Sequence, residues 1–354
     1  MDNSITYIKD KLSGNFNQIN DFISFCKYHN LHHWYSNIEQ LSLEQKNVLA
    51  QDFQLKKLHS LLLLDEWNKI KKHSNNKVSI HLIKGISLSN QIFNDPLLRP
   101  TRDIDLWVDF DDIFICDFIF KEIGYKRIKP EFDLNFKQLK YIHNHIHHFT
   151  YINDKNVIIE LHWQLFTPKS LFNNGENIFK ELPNNELTLY PIEWLLHYLI
   201  IHGSMHHWFK LFWLYDVHTI ISLKKIDWDI FFKQAKQFKD YRMINSSFYL
   251  VNNIFGTEIP YEFRLNNVEK RIVDYSLKSI VKHQNYLLLE GLGRTKRSYY
   301  LSLLKPGFEY KLKTWFAPFT TLEDWKTVKL PAGLFWLYYV LRPFIWLYNN
   351  YLKK

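Results

Sequence analysis

Asp103 and Asp105 stand two apart in the stretch Leu98-Arg-Pro-Thr-Arg-Asp-Ile-Asp-Leu-Trp-Val108. The run from Ile104 to Val108 has strand character. A strand's period of two then puts both carboxylates on one face and Ile104 and Leu106 on the other. Two carboxylates roughly 7 Å apart along a strand suit hard divalent cations, the kind that accompany phosphates. Just upstream lies Leu82-Ile-Lys-Gly-Ile-Ser-Leu-Ser89, an apolar run that ends at Lys84-Gly85 and gives way to a short helical segment. A glycine turn that opens a helix presents backbone N–H groups to an anion.

A third acid fits the same chemistry. Glu160 is the lone acid in Val157-Ile-Ile-Glu-Leu-His-Trp163, an otherwise apolar strand. Burying a charge there without a partner would be costly, so the position implies a cation, a proton-transfer role or a salt bridge. Arg99 and Arg102 flank the aspartates. Each could neutralise phosphate charge, or form an ion pair that fixes the acidic loop.

The glycine turn, the short helix and the Asp-x-Asp strand, taken together, resemble the nucleotidyltransferase superfamily. The likeness is closest to its uncharacterised bacterial branch, which carries a Lys-Gly turn and an Arg-Pro-x-x-Asp-x-Asp-Leu stretch. It runs from about residue 80 to about residue 260. It implies an α+β fold, with a small mixed β-sheet flanked by helices and a mostly helical C-terminal half. It also implies transfer of a nucleoside monophosphate from an NTP to an acceptor hydroxyl, with release of pyrophosphate. On that resemblance Asp103, Asp105 and Glu160 are the catalytic residues and hold two Mg²⁺ ions, with Mn²⁺ as the alternative. Lys84, Gly85, Ser87, Arg99 and Arg102 bind the nucleotide phosphates. Many relatives place a serine directly after the turn glycine; here that residue is Ile86, and Ser87 comes one later, a departure that with the aromatic tail leaves a non-catalytic nucleotide-binding or membrane-peripheral scaffold retaining the fold as the alternative. His202 and Asp216 match a histidine and an aspartate in the branch's helical region, which points them at acceptor or nucleotide.

The elements that must position these groups are legible in part. Residues 1 to about 75 read as helical, with Ile19, Phe22, Ile23 and Cys26 at helical spacing. Leu55, Leu58, Leu61, Leu62 and Asp65-Glu66-Trp67 continue the pattern in a later helix. His32 and His33 are adjacent and point to different helix faces, so a surface or packing role is expected. Lys77 to Ile83 reads as a strand leading into the turn. Asp109, Asp111 and Asp112 are placed to cap a helix over Ile113–Ile123 that ends at Gly124.

Tyr141 to Ile152 and Val157 to Trp163 read as a β-hairpin about the turn Asn153-Asp-Lys-Asn156. Pairing Ile152 with Val157 sets Phe149 opposite Glu160 and His147 opposite His162, so that Glu160, His162 and His147 share a face. His143, His145 and His147 alternate in this reading, but same-face strand neighbours roughly 7 Å apart do not close on one zinc ion. His147 and His162 are expected to line the substrate pocket or to support Glu160, with His148 as the alternative to His147. Pro191 opens a long helix that runs on to Trp208 and brings His202 and His206 to one face. Asp227 caps another helix, and Gly256 with Pro260 ends the helical block. The divisions that follow are a helical region over 1–75, a nucleotidyltransferase core over 76–188, a helical domain over 189–290 and a basic, aromatic tail over 291–354.

Composition bounds the rest. A 354-residue chain that is 46% hydrophobic and 17% aromatic supplies ample core, which argues against disorder. Cys26 and Cys116 are its only cysteines, so neither a disulfide framework nor a thiolate metal cluster is expected. From Arg294 to Lys354 eleven Lys and Arg face three acids, a net +8 of the chain's +9. The rest is near neutral, which argues against an extended nucleic-acid groove. An RNA end, a protein, a peptide, a sugar or a small alcohol all remain open as the acceptor. Leu330 to Tyr348 carries one charge in nineteen residues and is rich in Trp and Tyr. It reads either as a helix packed on the body or as an interfacial helix drawn to an anionic membrane surface. The opening Met-Asp-Asn-Ser lacks the basic and apolar segments of a secretory signal, so the expected location is cytoplasmic, with the inner membrane face as the site the tail would add.

Overall fold

The fold of the protein is given by a computed structural model, which describes residues 1–14, 19–31, 41–75, 77–182, 187, 189–282, 293–315 and 320–352. His32 and His33 lie outside the described residues. Among the described residues the chain opens with α1 (Asp2–Leu12), α2 (Ile19–His29) and the 32-residue α3 (Leu43–Ser74). Ser42 starts α3 with a capping box, its hydroxyl accepting from Gln45 N–H while the Gln45 side chain accepts from Ser42 N–H. The face of α3 that enters the core carries Leu63, Trp67 and Ile70, whereas Leu55, Leu58 and Leu61 are exposed.

A five-stranded mixed sheet follows. Its strands are β1 (His81–Leu82), β2 (Ile104–Trp107), β3 (Lys126–Lys129), β4 (His148–Ile152) and β5 (Ile158–His162), in the order β1-β2-β5-β4-β3. Only β2 and β5 pair in parallel; the other neighbours are antiparallel. The strand expected over Lys77–Ile83 reduces to two ladder residues, His81 paired with Trp107 and Leu82 with Leu106. Between β1 and β2 lies α4 (Ile86–Phe93), and between β2 and β3 lies α5 (Ile113–Glu122). Asp112 occupies the capping position of α5, but its side chain makes no cap hydrogen bond, and the same holds for Asp109 at the short 3₁₀ turn before it.

The hairpin departs from expectation in two ways. Residues Phe136–His145 form a helix, α6, because Asn135 and Gln138 build a second capping box there. The alternation of His143, His145 and His147 along a strand therefore does not exist. The register is also one residue away from the expected one: Ile152 pairs with Ile158, Thr150 with Glu160 and His148 with His162. The loop explains the slip. Asn153 N–H donates to Val157 O at 3.2 Å, so the turn proper is Asp154-Lys155-Asn156, with Asn156 in the left-handed region at φ 60°. A one-residue slip exchanges the faces of the whole strand. His148 and Thr150 thus join Glu160 and His162, while Phe149 and Tyr151 enter the core. Glu66 of α3 anchors the turn from below, accepting from Tyr125 Oη at 3.0 Å, Asn153 Nδ2 at 3.3 Å and Lys155 Nζ at 3.0 Å.

The C-terminal half is helical: α7 (Ile192–Met205), α8 (Leu211–Leu223), α9 (Trp228–Phe238), α10 (Tyr241–Phe255), α11 (Asn267–Val281), α12 (Gly293–Leu304), α13 (Phe308–Trp315), α14 (Leu322–Thr327) and α15 (Leu337–Leu347). The fold class is α+β. Asp227 caps α9 through Ile230 N–H, and Gly256 ends α10 in the left-handed region, but helices resume at Asn267. The helix opened by Pro191 stops at Met205, and His207 and Trp208 both take positive φ in the turn that follows.

The core divides around the sheet rather than along the chain. On one side α7 to α12 pack together with α1 and reach the sheet through Ile83, Leu88, Ile92 and Trp107. On the other side α3, α5 and the tail residues Leu322, Trp325, Tyr338 and Ile345 cover the opposite face. No helix among the described residues is long and apolar enough to cross a membrane.

Candidate active site

The parallel pairing of β2 with β5 sets Asp105 directly beside Glu160. Two acids that lie 55 residues apart in sequence thereby become lateral neighbours on the face that looks toward α7. Thr150 and His148 continue that face along β4, and Trp107 lies beside His162. Asp103 precedes β2 and is half-buried, whereas Asp105 is buried.

Lys84, the last residue before the glycine turn, reaches back over this face. Its Nζ lies 3.1 Å from Asp105 Oδ1, and His162 Nε2 lies 3.2 Å from the same oxygen and 3.3 Å from Glu160 Oε2. Asp105 Oδ2 is buried with no hydrogen-bond partner. Burial opposes charge on Asp105, yet the Lys84 ammonium and the His162 hydrogen bond hold its carboxyl below the usual range. Asp103 moves the other way: burial and the neighbouring Asp105 charge push its carboxyl well above the usual range, against the pull of Lys84. Lys84 is pushed up by the surrounding carboxylates despite burial, so it stays an ammonium. His162 is likewise pushed up by Asp105 and Glu160 against burial, while burial pushes His147 and His148 down.

Gly85 makes the turn possible. It sits at φ 70° and ψ −118°, and a Cβ there would lie 2.9 Å from Thr101 Oγ1. Thr101 in turn donates to Asp103 O at 3.3 Å, so the turn and the acidic strand are in direct contact. Ser87 is fully buried in the first turn of α4. The serine whose partners define this region is Ser89: its hydroxyl donates to Asp95 O and accepts from Arg99 N–H at 2.9 Å, which fixes the loop before β2.

Arg99 is 7% exposed, donates through Nε to Asp216 Oδ2 at 2.9 Å, and lies with its guanidinium 4.8 Å from the Phe212 ring centroid. It therefore ties the acidic loop to α8. Asp216 is buried, which raises its carboxyl to about 6 against the pull of Arg99. Arg102 is exposed, and its backbone O accepts from His59 Nε2 at 3.1 Å.

Over the acidic face lies α7. Tyr198, His202 and His206 occupy successive turns of one helix face, with His202 4.9 Å from His206 and 4.9 Å from Trp213 between ring centroids. Burial pushes both histidines down, and the Lys84 charge adds to it, so neutral imidazoles face the cationic end of the site. His147 lies beside His148 and His162, with its Nδ1 3.0 Å from Thr167 Oγ1.

The structure thus gathers Lys84, Gly85, Asp103, Asp105, Glu160, His147 and His162 about one face, with His202 above it. Ser87 is buried in the first turn of α4, Arg99 and Asp216 pair with each other, and Arg102 is exposed. His206 shares the face of His202 as its four-residue spacing implies, and Tyr198, one turn earlier at the same spacing, is the residue that the sequence reading leaves out.

A small mixed sheet with carboxylates side by side on two parallel strands, and a glycine turn entering a helix beside them, defines a member of the nucleotidyltransferase superfamily. More narrowly, the chain belongs to a family described as uncharacterised nucleotidyltransferases, whose model it matches over residues 17–256. That match extends beyond the stretch carrying the sequence motifs and takes in the N-terminal helices α2 and α3. No curated protein and no solved structure matches the chain.

Proposed function

We propose that the protein transfers a nucleoside monophosphate from an NTP to an acceptor hydroxyl. In that reaction an acceptor O–Pα bond forms, the Pα–O bond to the β-phosphate breaks, pyrophosphate leaves, and the hydroxyl proton passes to a base of the protein. The observation that carries this reading is the lateral pair Asp105 and Glu160 with the Lys84 ammonium against Asp105, at the entry to a glycine turn.

The donor set suits hard divalent cations. Asp103, Asp105 and Glu160 supply carboxylate oxygens, and Asp105 Oδ2 is a buried acceptor in want of a positive partner. These three residues would hold Mg²⁺ or Mn²⁺, which when bound supplies charge neutralisation for the triphosphate and polarises the reacting phosphorus. The protein's own groups do the remainder. Lys84 and the N–H groups at the start of α4 offer positive charge to phosphate oxygens. Glu160 is placed to take the acceptor's proton, and His162, its Nε2 set between Glu160 and Asp105, holds the two carboxylates in position. Arg99 holds the loop that aims Asp103 through its bond to Asp216. His202 and His206 present neutral, hydrogen-bonding rings where an acceptor would approach.

The test is to incubate the purified protein, Mg²⁺ and each labelled NTP with a cell lysate and follow the label. Label should appear in an acceptor with wild type and be lost with Asp105→Asn. Absence of transfer and of Mg²⁺-dependent NTP binding would overturn the reading.

A second surface carries its own proposal. The outer side of the tail exposes Trp336, Tyr339, Val340, Phe344, Trp346, Leu347 and Tyr348, within the segment that holds most of the chain's net positive charge. We infer that this face meets an anionic membrane surface.

A further inference from the structure

Beside the acidic pair stands a second group of ligands of different chemistry. His148 and His162 oppose each other across β4 and β5, and His147 adjoins them, its carbonyl accepting from Trp163 N–H at 3.1 Å. The ring centroids are 4.4 Å apart for His147 and His148, 4.9 Å for His148 and His162, and 5.5 Å for His147 and His162. One ring nitrogen from each lies within 4.8 Å of the others. Three imidazoles brought together gain little from one another, and leaving their nitrogens unbonded costs stability. Yet Nδ1 of His148 and Nδ1 of His162 are both buried with no partner. Glu160 lies against the other nitrogen of each ring, 3.8 Å from His148 Nε2 and 3.3 Å from His162 Nε2, and so orients the rings while their Nδ1 atoms stay open.

We propose that His147, His148 and His162, with Glu160 at their edge, form a binding site for a single borderline transition-metal ion of the Zn²⁺ class, distinct in chemistry from the Asp103–Asp105 pair. Imidazole nitrogens select such ions over Mg²⁺, and three nitrogens with a water is a composition zinc accepts in tetrahedral sites. The orientation of His147 is already set: Thr167 Oγ1 sits 3.0 Å from its Nδ1, which leaves Nε2 for the ion. A partner that fixes a ligand histidine in this way is a usual companion of a metal site. The strand register supplies the rest, because only the observed pairing puts His148 rather than Phe149 on this face. Glu160 then belongs to both groups and joins them. The inference goes beyond nucleotidyl transfer and stands or falls without it.

The test uses the full chain, stripped with a chelator and dialysed against Zn²⁺ alone and against Zn²⁺ with a large excess of Mg²⁺; Co²⁺ serves as a spectroscopic substitute. One ion per chain is expected to be retained in excess Mg²⁺, with the strong visible absorption of a four-coordinate Co²⁺ site. His148→Gln and His147→Gln should each weaken retention by about 10²-fold or more, and Thr167→Val by about 10- to 100-fold. Asp103→Asn should leave it unchanged, and circular dichroism of each variant checks the fold. Where a histidine variant does not fold, Thr167→Val alone reads out the site. No retained ion in excess Mg²⁺, retention undiminished in the folded variants of the histidines and of Thr167, or loss with Asp103→Asn equal to that with His148→Gln would each overturn the proposal. None of these measurements contains NTP, so a negative result here leaves the transfer reaction to be judged by its own assay.

Discussion

Lys84 balances the charge of the site at the residue scale. Its ammonium lies 3.1 Å from Asp105 Oδ1, and without it Asp105 would face Asp103 with only His162 for support. On the proposed reaction Lys84 faces phosphate, and a preorganised donor of that kind is worth about 10²–10³ in turnover, so Lys84→Met should lower kcat by that much while the fold survives. Single-turnover kinetics with saturating NTP checks it. The pH dependence follows from Asp103. Burial and the Asp105 charge raise its carboxyl, so the proton is held in mildly acidic solution and released as pH rises. A cation competes with that proton. Affinity for Mg²⁺ should therefore increase from about pH 6 to about pH 8, and Asp103→Asn should flatten the slope, as read by Mg²⁺ titration at several pH values. Gly85→Ala should also be damaging, because φ 70° and the 2.9 Å approach to Thr101 leave no room for a side chain. Much of this was legible in the sequence, since Asp103, Asp105, Lys84 and Gly85 are local to one another. The partner of Arg99 was not. Its pairing with Asp216 spans 117 residues and depends on how α8 is set against the acidic loop, which no local pattern records.

The elements decide which of these residues meet. Parallel pairing of β2 with β5 is the step that turns two distant acids into neighbours, and sequence pattern gave the strands without their order. The hairpin shows how fine the margin is. Asn153 and Asn156 both favour turns, and choosing the wrong first pair moved every side chain of β4 to the other face. The sign that could have settled it was Asn156, a residue suited to the left-handed position that closes a three-residue loop. The helix over Phe136–His145 is masked in the sequence because its histidines alternate as a strand's would, and its local mark is the Asn135–Gln138 capping box. Two contacts between elements carry predictions. Arg99→Ala would leave Asp216 buried and unpaired between the acidic loop and α8, at a cost of about 3–5 kcal/mol by denaturant unfolding; Asp216→Asn should cost less, since it retains a hydrogen-bond acceptor for Arg99. At Gly203 a Cβ would meet the Trp208 ring at 2.1 Å, so the turn after α7 closes only over glycine. Gly203→Ala should displace Trp208 and with it the end of α7 that carries His202 and His206, lowering both the unfolding midpoint and the activity.

At the scale of the whole molecule, the tail is where the two readings of the sequence meet. Its inner side is plainly part of the body. Trp325 and Tyr338 are buried against the sheet's far face, Tyr141 Oη exchanges hydrogen bonds with Thr320, and Arg342 pairs with Asp324 at 3.2 Å. Pro343 is accommodated within α15, a helix of eleven residues that is far too short to span a bilayer. Its outer side is apolar nonetheless: Phe344 is 68% exposed, Trp336 56% and Trp346 49%. A contiguous exposed patch of this kind on a folded protein marks a contact surface. Packing and membrane contact are thus compatible, one on each side of the same helix, and a linear pattern could not separate them because both sides are aromatic. With basic residues concentrated from Arg294 onward, anionic lipid is the partner the charge favours. The protein should therefore co-sediment with phosphatidylserine-containing vesicles and much less with neutral phosphatidylcholine ones, and salt should weaken the binding. Replacing Trp336, Phe344 and Trp346 together with serine should reduce that binding by at least 10-fold while leaving Tyr338 and Ile345 in the core and the unfolding midpoint nearly unchanged. Equal binding to both vesicle types would remove the electrostatic part of the argument. Binding to neither would assign the exposed aromatic face to some partner other than lipid.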